Sequence, residues 1–316
     1  MKIVILDGYA ANPGDMSWQA LGDLGELTVY DRTAPEETLK RAEGAEMLII
    51  NKTPLYRETI EKLPQLRYIG TISTGYNVVD IEAARERNIP VCNVPSYCTS
   101  MVAQHTFALL FELTNHIHEH AASVKSGEWA ACEDFCYWKT APIELWNKTI
   151  GIVGFGSIGR AVAQMALALE MKVLVNSRTR RELPEGAQWA ELDMLFRQSD
   201  VITLHCPLTS ETAGLINQKA ISLMKKSAIV LNTARGAMIN EQDLADALNA
   251  GRILGAGMDV LSTEPPRKDN PLLTAKNCVI TPHIAWAAKT SRERLINTVV
   301  ENVAAFLKGK PQNVVN

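Results

Sequence analysis

Thr149 to Gly159, TIGIVGFGSIG, is the stretch whose reading decides the fold. Ile150, Ile152 and Val153 predict a buried strand. Gly154, Gly156 and Gly159 follow in G-x-G-x-x-G spacing, and the run Arg160 to Glu170 predicts a helix. Each glycine has a physical reason. Gly154 permits the tight turn, Gly156 lets a pyrophosphate approach the backbone, and Gly159 lets the helix pack closely on the strand. An anion then rests on the helix N-terminus beside Ser157 and Ile158, where unpaired amides and the helix dipole favour negative charge.

Outward from this turn, the same alternation of short apolar runs and helical segments continues in both directions. Before it, Lys2 to Asp7, Met47 to Asn51, Leu66 to Thr71 and Pro90 to Val94 predict strands, with helices around 36–43, 56–62 and 80–87. After it, strands are predicted at Lys172 to Asn176, Val201 to His205, Ala228 to Asn232, Gly255 to Asp259 and Cys278 to Thr281. Two doubly wound, Rossmann-like parallel-sheet domains follow from this pattern. Residues 100–127 keep apolar residues at helical spacing and predict one long connecting helix, stopped at Gly127. Glu128 to Asn147 has no clear period and holds four tryptophan or tyrosine residues, which marks it as functional or interfacial. A last helix is expected over Ser291 to Lys308.

Composition narrows the class. At 316 residues the chain is long enough for two domains, and its net charge of -3 shows neither the basic excess of a nucleic-acid binder nor a polybasic membrane-binding run. The apolar start stops at Asp7, too short for a signal peptide, and no run reaches the length of a membrane span. Six scattered cysteines without a CxxC read as reduced thiols, so a cytoplasmic protein is expected.

Three strand ends carry polar residues: Asn232-Thr233-Ala234-Arg235-Gly236, then Asp259 to Pro266 (DVLSTEPP), then Thr281-Pro282-His283-Ile284-Ala285-Trp286. Open α/β sheets bind their ligands at such ends. Together with the glycine turn these segments resemble the D-2-hydroxyacid dehydrogenase family over essentially the whole chain. The resemblance implies an active site in the cleft between a flavodoxin-like substrate domain, 1–99 plus 289–316, and a dinucleotide-binding domain, 100–288. It also implies that Arg235 binds the substrate carboxylate and carbonyl oxygen, that His283 is the acid and base, and that Glu264 pairs with His283.

The residues themselves support those roles. Reduction of a 2-keto acid by hydride leaves negative charge developing on the carbonyl oxygen, so a proton donor that titrates near neutral pH must stand beside it, as a histidine does. A carboxylate on the far ring nitrogen fixes the tautomer and stabilises the imidazolium. Arginine offers a planar fork matched to a carboxylate. The plainer alternatives are a structural Glu-His hydrogen bond and an arginine that caps a strand end.

Further roles come from the resemblance. Ser73 to Asn77 is similar to the family's substrate loop, which assigns carboxylate binding to the backbone at Thr74 and Gly75; the alternative is an ordinary strand-to-helix turn. Val102 to Thr106 resembles the segment that places a threonine near the nicotinamide, and Gln104 replaces an acidic residue common there, so Thr106 alone is carried over. Cofactor contacts are likewise implied at Cys206, Pro207, Thr212, Thr233, Ala234, Asp259 and Ala285.

One departure bears on the cofactor. A carboxylate is expected about 20 residues after the glycine turn to accept hydrogen bonds from the adenosine ribose. Here the chain reads Ser177-Arg178-Thr179-Arg180-Arg181. Ser177, Arg178 and Thr179 would suit a 2'-phosphate, so NAD(P) is the expected cofactor with NADP(H) favoured over NAD(H). The alternative is a solvated basic loop that leaves NAD accepted.

His116, His118 and His120 with Cys132 and Cys136 do not have common zinc spacing, and no metal is expected. The Ala285-Trp286 ending and the stretch Phe135-Cys136-Tyr137-Trp138 make the chain most similar to the glycerate dehydrogenase and hydroxypyruvate reductase members of the family. Phe135, Tyr137 and Trp138 either line a partner subunit's site or fill a dimer interface, and a homodimer is expected. Other 2-keto acids, branched-chain or pyruvate-like, stay open as substrates. So does a nucleotide-sensing binding protein on the same fold, against which the lack of an appended nucleic-acid-binding tail argues.

Overall fold

Runs of aliphatic residues buried on both faces, rather than an alternating pattern, are what a parallel sheet covered by helices requires. The computed structural model describes residues 1–316, which divide into two units: Met1–Cys98 with Trp286–Asn316, and Thr99–Ala285. No helix is long and apolar enough to cross a membrane.

The smaller unit holds strands β1 (Lys2–Ile5), β2 (Glu26–Val29), β3 (Met47–Ile50), β4 (Tyr68–Thr71) and β5 (Val91–Cys92), in the order β2-β1-β3-β4-β5, every pair parallel. Short helices α1 (Gln19–Gly22), α2 (Thr38–Ala42), α3 (Arg57–Glu61) and α4 (Ile81–Glu86) connect them. The C-terminal helix, Lys289–Leu307, packs Leu295, Val299 and Val303 against Ile3, Ile5, Met47 and Tyr68. Its Arg292, 9% exposed, is held by both oxygens of Asp15 at 2.8 and 2.7 Å. The tail then turns back along β5. Val314 bridges Cys92 in antiparallel sense, the Val315 amide donates to the Val91 carbonyl (2.9 Å), and the Asn316 side chain accepts from the Val91 amide (2.9 Å).

The larger unit holds helices α5 (Thr99–Asn115), α6 (Ile117–Lys125), α7 (Ser157–Ala168), α8 (Leu192–Gln198), α9 (Gln218–Leu223) and α10 (Glu241–Asn249). Its strands are β6 (Thr149–Val153), β7 (Lys172–Asn176), β8 (Ala187–Trp189), β9 (Val201–Leu204), β10 (Ile229–Asn232), β11 (Gly255–Met258) and β12 (Cys278–Ile280). The sheet order is β12-β11-β10-β9-β6-β7-β8, again all parallel, so the strand order reverses at β6 and β9. That reversal is where a doubly wound sheet opens a crevice for a ligand, and the glycine turn stands at its mouth.

Two findings differ from the sequence reading. Residues 100–127 do not form one helix: His116 adopts a left-handed φ of 49° and separates α5 from α6. The cause is tertiary, because the Thr114 carbonyl accepts from the amide of Ile143, in the irregular stretch, at 2.8 Å. Strands β2 and β8 were also not foreseen. Both lie at sheet margins, and β2 has no buried residue.

Candidate active site

The glycine turn is shaped by close approaches. Gly154 has φ +98°, and a Cβ on it would stand 2.5 Å from both the carbonyl carbon of His205 and the amide nitrogen of Cys206. Glycine therefore lets the end of β9 pass directly against the turn. A Cβ on Gly159 would stand 2.1 Å from the Gly154 carbonyl oxygen, so the third glycine lets α7 seat on the turn. At Gly156, by contrast, a Cβ would meet nothing within 4 Å. That is open space beside the N-terminus of a 12-residue helix whose first turn has no acidic residue, which fits a pyrophosphate.

Ser177, Arg178 and Thr179 follow β7 directly. Asn176, its last residue, is tied by its side-chain amide to the Ala190 carbonyl at 2.9 Å. Both arginines are exposed; Arg180 turns back over the Trp189 ring (5.9 Å) and toward Glu191 (3.7 Å). After β9, Cys206 and Pro207 enter a loop that Thr212 closes. Its hydroxyl donates to the Pro207 carbonyl (2.8 Å) and accepts from the Thr209 amide (2.8 Å). Burial pushes the Cys206 thiol up, away from the reactive thiolate.

Three loops at the ends of β10, β11 and β12 are bound into one cluster. The Asn232 side chain brackets the first, accepting from the Ala234 amide (3.0 Å) and donating to the Arg235 carbonyl (2.9 Å). Thr233 meets Thr106 of α5, hydroxyl to hydroxyl, at 3.1 Å. Thr106 itself is fully buried and its hydroxyl donates to the Val102 carbonyl at 2.8 Å, which makes it a support for Thr233. Arg235 is exposed, and next to it Gly236 packs backbone to backbone on Leu261 and Ser262.

Glu264 accepts from the Leu261 amide at 3.2 Å through Oε1 and faces His283 Nδ1 at 2.6 Å through Oε2. A carboxylate accepts, so Nδ1 carries the hydrogen, and Nε2 is the ring nitrogen on the side away from Glu264. His283 has φ +53°, and its amide donates to the carbonyls of Asp259 (2.8 Å) and Thr281 (2.9 Å). Asp259, 1% exposed, accepts from the amides of Ile284 and Ala285, each at 2.9 Å. Burial alone would raise its carboxyl, but hydrogen bonds from His105, Thr281 and these amides hold it below the usual range. Its carboxylate is thus committed to the turn that carries His283.

Thr74 and Gly75 belong to the smaller unit, in the loop after β4. The carbonyls of this loop are engaged by protein donors: Ser73 by the Val94 amide (3.0 Å), Thr74 by Asn93 Nδ2 (2.7 Å) and Gly75 by the Ser73 hydroxyl (2.5 Å). Thr74 also donates its hydroxyl to the Val94 carbonyl at 2.7 Å.

Asn232, Gly236, Thr281 and His105 lie within the segments singled out from the sequence, but the sequence reading gave none of them a role. Gly236 had a visible signal, a glycine directly after the arginine. His120 of α6 serves structure: its Nδ1 lies 2.8 Å from the His116 carbonyl, and its Nε2 accepts from the Lys139 amide at 3.2 Å. No group of three or more His, Cys, Asp and Glu side chains is arranged to hold a metal ion.

Residues 107–285 match the model of the D-isomer specific 2-hydroxyacid dehydrogenase NAD-binding domain. The chain is 50% identical to a hydroxypyruvate reductase of Blautia hydrogenotrophica over 321 aligned positions, covering 100% of each. It is 41% identical to a glycerate dehydrogenase of Methylorubrum extorquens, covering 99% of this chain and 98% of that one. Among solved structures it superposes on an acyclic imino acid reductase in complex with NADPH and D-Arg with a TM-score of 0.89, at 33% identity and full coverage of both chains. The chain belongs to the D-isomer specific 2-hydroxyacid dehydrogenase family. It is an oxidoreductase acting on CH-OH groups, and its larger unit is an NAD(P)-binding domain.

Proposed function

We propose that this enzyme reduces hydroxypyruvate, and with it glyoxylate, to the corresponding 2-hydroxy acid, with NADPH preferred to NADH. The observation that carries the reading is the 2.6 Å contact between His283 Nδ1 and Glu264 beside the Gly236 to Leu261 backbone contact, which binds the Arg235 loop to the Glu264 loop. The full-length similarity to a hydroxypyruvate reductase and a glycerate dehydrogenase supports the substrate.

Bound reduced nicotinamide would supply the hydride, held by the glycine turn and by Ser177, Arg178 and Thr179. Arg235 receives the substrate carboxylate in its guanidinium fork and lies against the carbonyl oxygen. As negative charge gathers on that oxygen, His283 delivers the proton from Nε2, and the hydroxyl is formed. Glu264 keeps the ring oriented and its tautomer fixed. The amides of Thr74 and Gly75 take a share of the carboxylate, in a loop whose carbonyls are already engaged. Residues 1–99 with 289–316 are read as the substrate domain and 100–288 as the cofactor domain.

The enzyme is also read as a cytoplasmic homodimer. Between residues 126 and 148 the chain carries Trp129, Phe135, Trp138 and Trp146 at 51, 90, 64 and 57% exposure. Such aromatic surface is typical of an interface core. Light scattering tests this against the monomer mass of 34.8 kDa. The function is tested by initial rates with NADPH over a panel of 2-keto acids, together with His283→Ala. Hydroxypyruvate is expected to rank first, and kcat is expected to fall by about 10² or more in the variant while cofactor binding survives. A different first-ranked keto acid would overturn the substrate, and an active variant would overturn the acid role.

A further inference from the structure

His105, on α5, lies outside every role assigned so far, yet its side chain is 11% exposed and aimed at the catalytic turn. Its Nε2 is 2.9 Å from the Thr281 hydroxyl and 3.4 Å from Asp259 Oδ1. The Thr281 hydroxyl is 2.6 Å from the same Asp259 oxygen, and because a carboxylate accepts, that hydroxyl donates to it. Its lone pairs then face His105, so Nε2 must carry a hydrogen. One imidazole N–H therefore orients the hydroxyl, and the hydroxyl orients a buried carboxylate.

What the carboxylate holds is the main chain on the C-terminal side of His283: the amides of Ile284 and Ala285, each at 2.9 Å. The His283 amide is held in turn by the carbonyls of Asp259 and Thr281, at 2.8 and 2.9 Å. This grip is needed because His283 stands at φ +53°, a conformation that a side-chain-bearing residue keeps only under constraint. The ionisable groups around the cluster include Asp259 after β11, Glu264 in the loop beyond it, His283 itself, and Glu241 of α10, which accepts from the amide and hydroxyl of Ser262 at 2.7 and 2.8 Å. Arg235, after β10, directs its guanidinium to the Ala234 carbonyl at 2.7 Å. Thr233, which α5 meets through Thr106, is uncharged.

We propose that His105 is a positioning residue for the proton transfer, acting through Thr281 and Asp259 on the turn that sets the His283 to Glu264 contact. The proposal rests on the reading of His283 as the proton donor. Without the His105 N–H, the Thr281 hydroxyl is no longer oriented, Asp259 loses a donor, and the turn relaxes. The 2.6 Å contact between His283 and Glu264 then lengthens. The ring then meets the carbonyl oxygen out of line, and proton delivery slows while binding is kept.

The experiment is kcat and KM for hydroxypyruvate reduction, with KM for the cofactor, in the wild type, His105→Leu, His105→Gln and Thr281→Val, with His283→Ala beside them. In His105→Leu kcat should fall about tenfold while both KM values stay within about twofold of the wild type, as expected of a misplaced general acid. Thr281→Val should give the same split, so the test stands even if the leucine variant fails to fold. His105→Gln, which keeps an N–H at the same reach, should recover most of kcat. A lower melting temperature with kcat unmoved, or a glutamine variant no better than leucine, overturns the proposal and leaves His105 a packing residue. Wild-type kcat in His283→Ala would instead overturn the acid role on which the proposal rests.

Discussion

Gly236 and Leu261 touch through their backbones: a Cβ on Gly236 would stand 1.9 Å from the Leu261 carbonyl carbon and 2.1 Å from its oxygen. The neighbours of these two residues are Arg235 and, three positions past Leu261, Glu264. Adding one methyl at position 236 must therefore separate the two loops. Gly236→Ala is expected to cost about 1–3 kcal/mol of stability, as overpacking does, and to lower kcat/KM by up to about 10². Urea unfolding and steady-state kinetics on the same preparation check both halves. Unchanged kcat/KM would mean that the two loops need not touch.

Arg235→Lys separates charge from shape. An ammonium keeps the charge but not the paired donors, and a hydrogen bond to a charged group is worth about 1.5–3 kcal/mol. KM for hydroxypyruvate should rise about tenfold or more, with KM for the cofactor unmoved. A change of less than about threefold, with kcat intact, would remove Arg235 from the role of carboxylate clamp.

For cofactor choice the structure separates the arginines after β7. Arg180 is turned to Trp189 and Glu191, which leaves Arg178 as the side chain suited to a 2'-phosphate. The wild type should show a kcat/KM about tenfold higher with NADPH than with NADH. Arg178→Ala should lose most of that difference, and Arg180→Ala should keep it. Equal values in the wild type would show that the loop only faces solvent.

His205 gives a pH signature. Its Nδ1 is buried without a hydrogen-bond partner, and burial pushes the imidazole down to about 3. An unfolded histidine titrates near pH 6.5, so between about 6.5 and about 3 the unfolded chain holds a proton that the folded one refuses. Stability should fall as pH drops through that window, by at most about 1.4 kcal/mol per pH unit from this residue. Urea midpoints at several pH values should show a steeper acid loss in the wild type than in His205→Phe. Parallel curves would mean that His205 takes up its proton within the fold.

Much of this molecule could be read before its structure, and the exceptions have two causes. The glycine turn was legible because strand, turn and helix are contiguous. Arg235, Glu264 and His283 were reached through the family resemblance of the motifs at three strand ends. Strand β2 was not legible, since a half-exposed edge carries little apolar signal. The break at His116 depends on Ile143, outside any local window. His105 escaped for the same reason, because its partner Thr281 is 176 positions away.

The last four residues, Asn313 to Asn316, form a seam rather than a trailing end. β5 is two residues long and lies at the margin of its sheet, and the tail occupies the main-chain groups that this margin would otherwise offer. An uncovered strand margin is a template on which other chains assemble. Residues with no part in the proposed chemistry thus close a strand margin against pairing with a neighbouring chain.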